Sequence, residues 1–179
     1  MGSIAATSSQ PALGAIKLAW WREALEKLDH EPAPAEPRLR AAALRLLPRG
    51  ISGAQLAALE EPWALILHED EQAVFMKGVA GRGPALFALA ARLLGLTDDI
   101  LDEESQDFAA ADLGRRGIVD LVPIKLRRAK RRIPGPARPL SALVVLARRD
   151  MVSGGPPFEP EASPGRAWAL LRHRLTGRY

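Results

Sequence analysis

Cysteine is absent from the chain, which excludes disulfide bonds, thiolate catalysis and every metal site built on cysteine. The three histidines, His30, His68 and His173, are far apart and lack the spacing of metal ligands, so we interpret each as a surface or helix-end residue. No apolar run approaches the roughly 20 residues that span a bilayer, and the N-terminus does not resemble a secretory signal. These absences predict a cytoplasmic protein.

Aromatic residues are also scarce, at 5% of the chain, and the 47% that is hydrophobic consists mostly of alanine and leucine. These two residues lose little conformational freedom in a helix, and no segment alternates apolar and polar residues as a strand does. The sequence therefore predicts an all-α bundle of about seven to eight helices. We expect a flexible tail over residues 1–14 and a single domain over 15–179.

Acidic and basic residues are unevenly distributed along the chain. Residues 1–112 carry a net charge of −7 and residues 113–179 a net charge of +11. Such a division indicates either ion pairing between the halves or an anionic partner for the basic half. The densest basic stretch comprises Lys125, Arg127, Arg128, Lys130, Arg131 and Arg132.

Two interpretations of this basic stretch stay open. Its cations can form a solvated helix face that balances the acidic half, or they can contact an anionic lipid surface or an acidic protein. Nucleic acid is disfavoured as a partner, because no aromatic residues that could stack on bases lie between the cations.

Apolar residues at helical spacing predict a first helix over about 15–30. Its expected buried stripe contains Ile16, Ala19, Trp20, Ala24 and Leu28. Trp21 is adjacent to Trp20 and cannot point the same way, so we expect one in the core and the other at the flank, against a neighbouring helix or a partner. Trp63 lies in the apolar stripe of a later helix, and all three tryptophans are candidates for packing or for an interface.

Capping and helix-breaking residues predict further boundaries. Ser52 can cap the third helix, Pro62 is expected to interrupt it, and Gly95 is expected to close the fourth. Later helices are predicted over about 117–132, 139–151 and 165–176.

Residues 16–29 read IKLAWWREALEKLD and are followed by a proline-rich break over 32–37. This arrangement resembles a helix and its following loop in the squalene/phytoene synthase family. The similarity extends through residues 65–70 and 88–95, and residues 172–178 resemble the short bacterial branch of that family. The resemblance implies an isoprenoid synthase fold that is incomplete in this chain.

Catalysis in that family depends on two D-x-x-x-D motifs on facing helices, which hold Mg²⁺ against the substrate diphosphates. The first motif lies upstream of the tryptophan helix, in a region that this chain is expected to lack. The second corresponds to residues 112–120, where Arg116 replaces the first carboxylate and only Asp120 remains. The resemblance therefore implies no cofactor, and Mg²⁺ only if the chain is active. Arg115 and Arg116, with the basic stretch, are candidates to contact a diphosphate or an anionic partner.

A competing acidic motif consists of Asp98, Asp99 and Asp102. It has the D-D-x-x-D form with which head-to-tail prenyl synthases bind metal, so these residues are the candidate Mg²⁺ ligands of an active enzyme. The alternative is a helix N-terminus that Thr97 caps, where the helix dipole favours acidic side chains. The sequence supplies no convincing second acidic pair to face this one.

Three functions are compatible with this pattern. The resemblance favours a scaffold or assembly protein without prenyltransferase activity, similar to the family branch related to mitochondrial respiratory complex I assembly factors. Its partner would be another protein or a second copy that covers an exposed helical groove. The alternatives are a Mg²⁺-dependent prenyltransferase acting on isoprenoid diphosphates, and a peripheral isoprenoid-lipid binder, which could lie at the inner membrane of a bacterium.

Overall fold

The computed structural model describes residues 1–7, 11–67, 71–97, 101–121 and 132–178. Within these ranges all regular secondary structure is helical and no strand occurs, so the predicted all-α class is confirmed. None of the described helices combines the length and the apolar composition that crossing a bilayer requires. The chain divides into two compact units, Met1–Leu89 and Ala90–Tyr179, and a single domain over 15–179 stays a prediction.

Unit 1 begins with a short helix inside the segment that was expected to be a flexible tail, and this helix contacts the second and fifth helices. Short 3₁₀ turns extend the second and third helices. The helices of unit 1 are α1 (Gly2–Thr7), α2 (Pro11–Glu26), α3 (Pro37–Arg45), α4 (Gly53–Ala57), α5 (Glu61–Ile66) and most of α6 (Gln72–Leu93).

Local sequence signals account for several of these boundaries. Ser52 caps α4 in a capping box with Gln55, as the sequence predicts. Pro62 lies in the first turn of α5, and the predicted break before it separates α4 from α5. Gly95 follows α6 with a φ of +67°, and the Leu96 N–H donates to the carbonyl of Ala91 at 2.9 Å, as in a Schellman cap.

The core of unit 1 forms where α2 packs against α4 and α5. Leu18, Leu25 and Leu28 are the buried side chains that α2 and its 3₁₀ turn contribute. Gly53 opens α4 so close to α2 that a Cβ atom there would overlap the carbonyl oxygen of Leu25. Asp29 accepts hydrogen bonds from the N–H groups of Gly53 (2.5 Å) and of the next residue (2.9 Å), and these bonds lower the pKa of its carboxyl group.

Unit 2 contains α7 (Asp102–Arg115), α8 (Arg138–Ser153) and α9 (Pro164–Thr176), and α8 packs against both of the others. Helices α8 and α9 lie where the sequence predicts them. The helix predicted over 117–132 is wrong over 117–121, which form a turn and an irregular segment, and its residues 122–131 lie outside the described residues. The C-terminal turn is fixed by the Ile133 N–H, which donates to the carbonyl of Gly177 at 2.8 Å.

Candidate functional site

The candidate acidic motif is only partly described by the structure. Asp102 opens α7, whose first turn also contains Glu103 and Glu104, whereas Asp98 and Asp99 lie outside the described residues. Thr97 was expected to cap this helix, but α7 begins five residues later. Within the described ranges no group of three or more histidine or carboxylate side chains is placed to hold a metal ion.

Arg115, a candidate diphosphate contact, is bound to a carboxylate of its own unit. Its guanidinium donates to both oxygens of Asp150, at 2.6 and 2.8 Å, and to the backbone carbonyl of Glu159 at 3.0 Å. The hydrogen bonds that Arg115 donates to Asp150 raise the pKa of Arg115 above its ordinary value. The neighbouring Arg116 lies against Asp112, four residues earlier on α7, with a 2.9 Å ion pair.

Asp150 is the centre of a buried ion network that the sequence analysis missed. The residue is only 3% exposed, and besides Arg115 it accepts a 2.7 Å hydrogen bond from Arg166, which is 6% exposed. These contacts connect α7, α8 and α9 through residues that are far apart in sequence, so no local motif indicates them. A carboxylate between two guanidinium groups satisfies buried charge, which identifies this network as structural.

A second buried carboxylate lies in unit 1. Glu60 borders a pocket of about 290 Å³ with Glu26 and Glu61, and its nearest cation is Arg22, at 4.0 Å. Burial raises the pKa of Glu60 above its ordinary value, and the attraction of Arg22 offsets this only in part.

Five cations of the basic stretch lie outside the described residues, namely Lys125, Arg127, Arg128, Lys130 and Arg131. The sixth, Arg132, is exposed and borders a shallow notch of about 280 Å³ in unit 2, beside Leu175, Thr176 and Arg178. The structure therefore places one member of the stretch at the C-terminal end of α9.

The three candidate tryptophans differ in their surroundings. Trp63 is buried, with the guanidinium of Arg82 4.2 Å from the centre of its ring, so its role is packing. Trp21 is half-buried rather than in the core, and Arg38 lies 6.0 Å from its ring centre. Trp20 is 49% exposed and meets Trp21 edge to face, with 5.2 Å between the ring centroids.

The face of α2 that was expected to be buried is largely exposed. The buried residues of α2 are Gly14, Leu18 and Leu25, which were not in the predicted stripe. Of the predicted residues, Ile16 is 65% exposed and Ala19 also faces solvent. The predicted stripe is wrong for Ile16, Ala19 and Trp20, whereas Leu28 is buried as predicted. The reason is that α2 carries apolar residues on two faces, and α4 and α5 cover only one of them. The other face presents a row at helical spacing, which we call the α2 stripe: Leu13, Ile16 and Trp20.

An open groove of about 400 Å³ continues from the end of the α2 stripe. Trp20, Ala24 and Leu28 form one wall, and the proline-rich loop contributes Pro32 and Pro34. Charged side chains are at its edge, where Glu23 and Lys27 form a 2.7 Å ion pair. Trp20 belongs to both the stripe and the groove, whose lining within unit 1 is apolar except for Glu23, Lys27 and Glu31.

Helix α9 also exposes apolar residues, whereas two of its polar residues, Arg166 and His173, are buried. Arg166 is buried on Asp150, and the ring of His173 contacts the Ser141 hydroxyl at 2.8 Å and the backbone carbonyl of Arg178 at 3.1 Å. His173 is at a helix end, as expected, but it is buried rather than at the surface. The outer face carries a row that we call the α9 ridge: Trp168, Leu171 and Leu175. Their spacing of three and four residues was the signal in the sequence for this row.

Comparisons of this chain with protein-family models, with curated proteins and with solved structures find no match. Membership of the squalene/phytoene synthase family therefore stays a prediction from the sequence.

Proposed function

We propose that this chain is a partner-binding scaffold protein, similar to squalene/phytoene synthases but without prenyltransferase activity, and that it binds its partner on the α2 stripe. The observation that carries this proposal is the exposure of Ile16 and Trp20 in a row with Leu13. We further propose that the protein acts in the bacterial cytoplasm as an assembly factor.

Energetics support a binding role for this surface. A large aromatic and two aliphatic side chains in one row leave apolar area in water that a covering partner would remove, at about 25 cal/mol per Å². Single exposed leucines are ordinary in globular proteins, but a row of three that continues into a groove is typical of an interaction site.

The shape of the surface indicates the kind of partner. The row has the spacing of one helix face, and the groove beside Trp20 is bounded by α2 and by the loop with Pro32 and Pro34. An amphipathic helix from another protein would fit here, with its own apolar residues three and four positions apart. Trp20 would be the central anchor, since buried tryptophans dominate many interfaces.

The test begins with a photo-crosslinking amino acid at position 13, which identifies the protein that covers the α2 stripe in the native host. The binding of that purified partner is then compared between the parent chain and the Ile16→Ser/Trp20→Ser variant. We expect the variant to lose about thirtyfold or more in affinity, the effect of removing an interface anchor.

The matched control is Leu44→Ser, which removes an exposed leucine from α3, at 74% exposure, outside the stripe. This control should bind as the parent chain does. Equal binding by the parent and by the Ile16→Ser/Trp20→Ser variant, with unchanged circular dichroism, would refute the proposal. Sedimentation velocity distinguishes a second copy of this chain from a different protein as the occupant.

A further inference from the structure

We infer that the α9 ridge is a second interaction surface, distinct from the α2 stripe, and that it docks on an anionic lipid bilayer. The inference combines three features of unit 2: the inverted polarity of α9, the cations beside its ridge and the notch at its C-terminal end.

The inverted polarity shows that the exposure of the ridge is built into the fold. An ordinary amphipathic helix would bury Trp168, Leu171 and Leu175. Here the buried positions of α9 are Arg166 and His173, and each contacts a specific partner on α8, Asp150 and Ser141 respectively. The ridge is therefore held outward by polar contacts, with Trp168 66% exposed and Leu175 68% exposed.

The charges beside the ridge favour a negative surface. Arg172 and Arg174 are exposed, and on a helical wheel they lie on opposite sides of the ridge. Residues 164–178 contain no acidic residue. The acids nearest in sequence, Glu159 and Glu161, precede the helix, and Glu159 is paired with Arg149 at 2.8 Å.

The notch provides a place for a lipid phosphate. Arg132 and Arg178 border it, and Leu175 of the ridge forms its apolar side. A lipid phosphate in the notch would contact two guanidinium groups, while the side chains of the α9 ridge enter the boundary between the headgroups and the acyl chains. A tryptophan beside arginines is the composition of helices that lie in a membrane interface.

The experiment is co-flotation of the full chain with vesicles of phosphatidylcholine alone and of phosphatidylcholine mixed with phosphatidylglycerol. We expect binding to the mixed vesicles only, with a loss of binding at high salt because the interaction between exposed charges is screened. The Trp168→Ser/Leu171→Ser variant should lose binding. The Arg172→Gln/Arg178→Gln variant should lose about fivefold in affinity for each arginine removed.

Two control variants separate this inference from the proposed function. Arg40→Gln/Arg45→Gln removes two exposed cations from α3, and Ile16→Ser/Trp20→Ser removes the α2 stripe; both should bind vesicles as the parent chain does. Failure of the parent chain to bind the mixed vesicles would overturn the inference. Binding that the ridge substitutions leave unchanged would also overturn it, as would binding to phosphatidylcholine alone with equal affinity. Ridge variants that change oligomeric state without any vesicle binding would indicate a protein partner instead.

Discussion

At the scale of single residues, Asp150 is a buried polar group that connects three helices of unit 2. Its carboxylate receives Arg115 from α7 and Arg166 from α9, while its own backbone belongs to α8. The three helices therefore share one buried charge. Removing it would leave the buried guanidinium of Arg166 without its carboxylate.

We predict that Asp150→Ala lowers the free energy of unfolding by about 3–5 kcal/mol, the cost of leaving a buried cation unpaired. Urea denaturation followed by circular dichroism measures this change. The control is Glu23→Gln, which removes one partner of the exposed ion pair with Lys27 and should leave the denaturation midpoint unchanged. A similar midpoint for Asp150→Ala and the parent would show that the network contributes nothing to stability.

The raised pKa of Glu60 leads us to predict that the stability of the fold depends on pH. Because burial raises its pKa, the folded chain holds the proton more tightly than the unfolded chain does. This contribution to stability is complete below the ordinary pKa of 4.5 and is lost as the pH rises through the higher pKa of the folded state. We expect Glu60→Gln to be more stable than the parent at pH 7.

Urea denaturation of parent and variant across the range from pH 4 to pH 7 tests this prediction, and the difference between them should shrink towards the acid end. Glu71→Gln, at an exposed carboxylate, is the control and should follow the parent. A constant difference between Glu60→Gln and the parent at every pH would contradict the prediction, since a simple packing effect does not titrate.

At the scale of elements, sequence signals predicted where helices lie better than which way they face. Ser52, Pro62 and Gly95 act locally, through a cap, a missing donor and a positive φ, so their effects could be read directly from the chain. The buried face of α2 could not be read in this way. Apolar residues line two sides of that helix, and only its packing partners determine which side is covered.

The ion network and the exposed ridge escaped prediction for a related reason. Asp150 and Arg115 are 35 residues apart, and nothing in either neighbourhood indicates the other. The polar contacts of Arg166 and His173 then determine the orientation of α9, against the direction that its apolar residues alone would favour. Specific long-range pairs can thus override amphipathic patterning in a short helix.

The contact between α2 and α4 gives a prediction about packing. We expect Gly53→Ala to lower the free energy of unfolding by about 1–3 kcal/mol, because the added methyl would overlap the backbone of Leu25 and the helices must separate. Thermal unfolding measures the loss. Gly135→Ala is the matched control, since a Cβ atom there meets nothing within 4 Å. Equal melting temperatures for the two variants would show that the close approach is not required.

At the scale of the whole molecule, the lack of a convincing second acidic pair in the sequence leads to a prediction about activity. Two diphosphate groups need two sets of Mg²⁺ ligands, and only Asp98, Asp99 and Asp102 form a candidate set. We expect no pyrophosphate release when the protein is incubated with Mg²⁺ and farnesyl diphosphate. Release that Asp102→Ala abolishes would establish the prenyltransferase alternative.

The buried polar residues of α9 control what the surface of unit 2 presents to its environment. If leucine replaced both Arg166 and His173, the helix would lose the contacts that fix its rotation, and its most apolar side could turn towards α8. The protein would then bury more apolar side chains and expose fewer of them to partners, although its overall hydrophobicity had increased. The apolar surface that unit 2 exposes therefore depends on how α9 is rotated as well as on how many apolar residues it contains.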